Sequence, residues 1–87
     1  MKLCILYHAD SEFARPVDEF EKNCRLETTI PIEKLNVDSP EGAATAALYD
    51  IMTYPAILVL RDDGQLFKGW QGPSFPPVSD VVVSLNV

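Results

Sequence analysis

The residues with the most chemical capacity in this 87-residue chain fall in one short stretch, His8-Ala9-Asp10-Ser11. An imidazole three positions from a hydroxyl is spaced to act as its general base, the arrangement that activates serine nucleophiles. Such a pair also needs a third group to hold the ring in the right tautomer, and Asp10 is the one candidate in the stretch. Asp10 is better suited to cap the helix that follows, so these residues read first as a strand-end histidine beside a capping serine. The same helix start offers free backbone N–H groups to a carboxylate or phosphate, and Asp10 and Glu12 oppose that use.

The two thiols, Cys4 and Cys24, stand twenty residues apart with no CxxC spacing. With His8 they are too few for a closed tetrahedral metal site, so neither a metal nor another cofactor is expected. Disulfide exchange needs a thiolate, which a helix N-terminus stabilises. Cys4 falls inside a strand, about 13 Å below its end at 3.3 Å per residue. Cys24 falls at the far end of a helix, where the dipole disfavours the thiolate. Both read as small apolar core residues, reduced in a cytoplasmic protein. Their pairing is left open, because the strand and the helix run antiparallel.

The elements that carry these residues follow from apolar patterning. Leu3 to Tyr7 is a nearly continuous apolar run, as in a strand covered on both faces. With Asp10 or Ser11 as cap, Phe13, Val17, Phe20 and Cys24 form one stripe of a first helix, and Pro16 is tolerated near its first turn. Ile32 to Val37 reads as a second strand. Ser39-Pro40-Glu41 starts a second helix, small-residued and able to pack closely, that runs to about Asp50. Ala56 to Leu60 is a third strand, Asp63-Gly64 a hairpin, and Leu66 to Trp70 the returning strand, on which Phe67 and Trp70 have opposite parity and so face opposite sides. Gly72-Pro73 ends it. The stretch from Gly69 to Pro77, with Trp70 and Phe75, is either a contact surface or a stiff linker to a last helix from Val78 to Leu85.

The βαβ opening implies parallel strands and a right-handed crossover, and the hairpin adds antiparallel ones. The expectation is one α/β domain over residues 1–87, βαβαββα, with a mixed four-stranded sheet and helices on both faces. Thirteen acidic and seven scattered basic residues leave a net charge of −6, which argues against a nucleic-acid partner. No apolar run approaches the roughly 18 residues that span a bilayer, so no membrane association is expected.

This order, with Thr53-Tyr54-Pro55-Ala56-Ile57-Leu58-Val59-Leu60 leading into Asp62-Asp63-Gly64, resembles the thioredoxin family. Gly64 and Gly72 match the family's turn and strand-closing glycines, Asn36-Val37-Asp38 its second-strand end, and Pro16 its helix proline. The resemblance covers nearly the whole chain and is nearer in size to the minimal glutaredoxin core. It implies a cis proline at Pro55 facing the redox site. Anchored on Pro16, it sets the family's two cysteines at His8 and Ser11, so CxxC has become His8-Ala9-Asp10-Ser11.

What the resemblance then implies is a scaffold that binds without exchanging disulfides. Peptides and glutathione dock in this family along backbone exposed beside the cis proline, a form of strand addition. The expected ligand site comprises His8, Ala9, Asp10, Ser11, Phe13, Tyr54, Pro55 and Gly72, with Tyr7, Tyr54 and Trp70 along one groove. The first expectation is a non-catalytic module for a peptide or partner protein. The second is a glutathione-linked oxidoreductase or transferase using the Ser11 or Tyr7 hydroxyl, as the similar core of glutathione transferases does. The third is a monothiol redox protein acting through Cys4 or Cys24.

Overall fold

Leu3, Cys4, Ile5 and Leu6 are all buried because their strand lies inside the sheet with a packed layer on each face. The computed structural model describes residues 1–86. Along them run β1 (Lys2–Tyr7), α1 (Ala14–Glu27), β2 (Ile32–Asn36), α2 (Pro40–Leu48), β3 (Ala56–Leu60), β4 (Leu66–Gln71) and α3 (Val78–Leu85). The strand order is β2-β1-β3-β4, parallel between β1 and β2 and antiparallel at the other two pairings. Parallel neighbours need a crossover connection, and α1 is that crossover.

Alternation along the inner strands divides the core in two. Leu3, Ile5, Ile57 and Val59 face a layer of Val17, Phe20 and Cys24 from α1 with Val81 and Leu85 from α3. Cys4, Leu6, Leu58 and Leu60 face the opposite way, toward Ala46 of α2, Val37 and Ile51. The expected mixed sheet with helices on both faces is the architecture found.

The small residues of α2 allow close packing at one decisive point. The Ser39 hydroxyl accepts the Gly42 amide at 3.2 Å as N-cap. A Cβ at Gly42 would lie 2.0 Å from the Asn36 carbonyl oxygen, so only glycine lets α2 rest against the end of β2.

Three local expectations change. Helix α1 begins at Ala14, and neither Asp10 nor Ser11 caps it. The Ser11 hydroxyl is spent in the preceding turn, donating to the His8 carbonyl at 2.6 Å and accepting the Phe13 amide at 3.2 Å. Pro16 consequently lies in the first helical turn, where its missing amide would have had no helical partner. On β4, a register shift beside Val59 and Leu60 inserts Phe67 as an extra residue. That bulge turns Phe67 onto the side of Trp70, and both pack on the α1–α3 layer rather than on opposite faces. Within the Gly69-to-Pro77 stretch the apolar side chains are engaged, Phe75 stacking on Phe20 at 5.2 Å between ring centroids and Pro76 being buried, while Gly69, Gln71, Pro73, Ser74 and Pro77 are exposed.

The cysteines fall on opposite faces of the sheet, Cys4 in the α2 layer and Cys24 in the α1–α3 layer, so the sheet itself prevents their pairing. Burial pushes each thiol up to about 11, with Glu33 and Glu21 respectively adding repulsion. Both are core residues.

Gly42→Ala is expected to lower stability by about 2–3 kcal/mol through overpacking against β2, measured by urea unfolding. Ala43→Gly at the exposed neighbouring position should cost only about 1 kcal/mol. Neither thiol should react with a disulfide reagent at pH 8 unless denaturant is present. Each stays neutral in the fold while the unfolded chain ionises it near the ordinary 9.0, so stability should fall as pH rises from about 9 toward 11. A pH-independent unfolding midpoint across that window would contradict this burial.

Candidate functional site

Because β1 and β2 are parallel and Tyr7 pairs with Asn36, their C-terminal ends lie side by side. β3 runs the other way, with Ala56 against Leu6, so the chain enters it at that same end. Three loops therefore converge here: residues 8–13 after β1, residues 37–39 after β2, and Tyr54-Pro55 before β3. Sheet topology brings together residues that are far apart in sequence.

Asn36 organises the junction. Its side-chain oxygen accepts the Ala9 amide at 3.2 Å and the Asp38 amide at 3.1 Å. Its backbone carbonyl accepts the Ser39 amide at 3.0 Å and the Ser39 hydroxyl at 2.7 Å. Beside it the Val37 amide donates to the Tyr7 carbonyl at 2.9 Å.

His8 extends from this junction with its Nδ1 at 3.2 Å from both Asp38 carboxylate oxygens. A carboxylate only accepts, so this contact places the proton on Nδ1 and leaves Nε2 as the unengaged end of the ring. The ring meets Tyr54 edge-on, at 5.1 Å and 78°. Asp38 is thus the orienting group that the neighbouring Asp10 does not supply. Its signal in the sequence is Asn36-Val37-Asp38, legible only once the parallel register is known. Histidine and aspartate side chains are 46% and 58% exposed, so solvent limits the pair to about 1 kcal/mol.

Ser11 does not complete a nucleophilic pair. Its hydroxyl hydrogen goes to the His8 backbone carbonyl, not to the imidazole. The serine shapes the loop.

A cleft of about 300 Å³ opens between these loops, lined by Tyr7 and His8, by Ser11, Glu12 and Phe13, and by Tyr54 and Pro55. The Tyr54–Pro55 peptide bond is cis. The Tyr54 hydroxyl donates to the Ile51 carbonyl at 3.2 Å, and the Gln71 side chain accepts the Met52 and Thr53 amides at 3.2 and 3.3 Å. Among the described residues the Tyr54 amide and carbonyl have no hydrogen-bond partner, although their neighbours do.

Of the site residues expected from sequence, His8, Ser11, Phe13, Tyr54 and Pro55 line this cleft, as does Tyr7. Ala9 and Asp10 are exposed in the adjoining loop and outside the lining. Gly72 stands behind it, buried, its amide donating to the Pro55 carbonyl at 3.1 Å from a backbone φ of +113°. Trp70 pairs with Ile57 and packs on the α1–α3 layer, as Tyr7 also does, but it is not in the cleft lining, and Tyr54 packs on the opposite layer. Glu12 and Asp38 are the additions.

No family model matches the sequence, and no curated protein matches it at a significant level. Solved structures do match in shape. Thioredoxin 1 from the thermophilic eubacterium Thermosipho africanus TCF52B superposes with a TM-score of 0.72 at 16% identity, over 99% of this chain and 91% of its own. A malarial protein matches at 0.74 and 12% identity, over 97% and 91%. A designed protein matches at 0.70 and 14%, over 98% and 72%. With the strand order, the two helical layers and these superpositions in agreement, the chain has a thioredoxin-like fold.

Proposed function

We propose that this protein is a non-catalytic peptide- or protein-binding module that takes an extended segment in the cleft beside Tyr54-Pro55. The observation that carries this reading is the unpartnered amide and carbonyl of Tyr54, a donor and an acceptor beside an apolar cleft. An extended chain laid along them satisfies both groups, as a strand added to a sheet edge does. Phe13, Tyr7 and Pro55 supply the apolar surface for one of its side chains.

The absence of a thiolate supports binding over exchange. His8 and Ser11 stand where the resemblance sets the redox cysteines, and Cys4 and Cys24 are buried and held neutral. A glutathione-linked enzyme is less well supported. Glutathione carries two carboxylates, and the lining contains Glu12 but no lysine or arginine to receive them. The Ser11 hydroxyl is already committed to the His8 carbonyl.

Titrating isotope-labelled protein with a blocked, leucine-centred pentapeptide should shift the amide resonances of Phe13, Tyr54 and Ala56. A dissociation constant on the order of 0.1–1 mM is expected for so small a contact. Glutathione at the same concentrations should leave those resonances in place. Insulin-reducing activity abolished by Cys4→Ser or Cys24→Ser would overturn the reading.

A further inference from the structure

Resting on the peptide reading of this cleft, we infer that its occupant is an extended segment whose apolar anchor is flanked by lysine or arginine. Glu12 lines the cleft, Asp10 lies two residues earlier in the same exposed loop, and Asp38 holds the His8 ring. No lysine or arginine is in the lining. Asp10 and Glu12 have no ion-pair partner among the described residues, which they share with Glu19, Glu41 and other acids, and their place at the cleft is what distinguishes them. Arg15, the nearest basic residue in sequence, is exposed on the first turn of α1 and outside the lining.

The positive end of α1 opposes a basic ligand with about half a unit charge. Glu12 in the lining, with Asp10 and Asp38 on the loops beside it, outweighs that half charge. The same balance disfavours a second copy of this chain, which carries a net charge of −6. In an extended segment, side chains two positions either side of the anchor return to the same face about 7 Å away. With the anchor in the cleft, the flanking pair falls on the rim, beside Glu12 and the loop bearing Asp10.

The test compares three blocked pentapeptides, Lys-Ser-Leu-Ser-Lys, Ser-Ser-Leu-Ser-Ser and Glu-Ser-Leu-Ser-Glu, each followed at the Phe13 and Tyr54 amides. At low ionic strength the lysine peptide should bind about fivefold tighter than the serine peptide, with the glutamate peptide weakest. About 0.5 M salt should erase the difference. Glu12→Gln and Asp10→Asn, both at exposed positions, should each narrow the preference by about twofold. Equal binding of all three peptides, or a preference that survives the double substitution, overturns this inference and leaves the cleft as a peptide site. Binding by none of them overturns both readings. Concentration-dependent shifts of the cleft resonances without peptide would assign the cleft to a second copy and also overturn the inference.

Discussion

The site depends on the parallel pairing of β1 with β2 and on the asparagine at its end. Asn36 accepts four hydrogen bonds, two on its side-chain oxygen and two on its carbonyl. At about 1 kcal/mol each, they are a substantial share of the roughly 5–10 kcal/mol that holds a domain of this size together. They also serve as a geometric reference. The loop bearing His8, the carboxylate of Asp38 and the cap of α2 are all positioned from the same residue. Gly42 sits against that carbonyl with no room for a side chain. Any shift of β2 along β1 would therefore move the histidine, its aspartate and the second helix together.

Burial divides the polar chemistry of the chain. The thiols are inside, on opposite faces of the sheet, where desolvation keeps them protonated. The imidazole, the serine and the carboxylates are outside, where they can meet a ligand but are screened by water. Covalent chemistry calls for groups shielded from water and aimed at a reacting atom, and the proposed binding role does not require them. The proposed recognition rests on apolar surface, a backbone donor and acceptor at Tyr54 without partners among the described residues, and the Glu12 carboxylate in the lining. Recognition by such features is weak per contact and gains specificity from charge.

Much of the fold was legible in the residues because inner strands and helix starts leave local marks. Leu3 to Tyr7 and Ala56 to Leu60 are continuous apolar runs, as strands buried on both faces must be. Ser39-Pro40-Glu41 reads as a helix start, and α2 begins there, because capping is settled within a few residues. The start of α1 was not legible. Ser11 had the right chemistry for a cap, but α1 starts only at Ala14, so the serine oxygen accepts the Phe13 amide in the turn ahead of the helix instead of an amide of its first turn. Phe67 was misread because period-two alternation holds only while the register is unbroken, and the bulge on β4 is a property of two strands.

The sequence by itself determined the layered α/β architecture, the stretch His8-Ala9-Asp10-Ser11 after β1 with no CxxC spacing in the chain, and the segment Tyr54-Pro55 at the head of β3. These are properties of runs and spacings within single elements. Only the tertiary structure decided that Asp38, thirty residues away, orients His8. It also decided that Gly72 and Trp70 stand outside the cleft lining, and that the two thiols lie in the core layers on opposite faces of the sheet. Each of these depends on strand order, register or sheet face, which arise when separate segments pack, and no local pattern carries them.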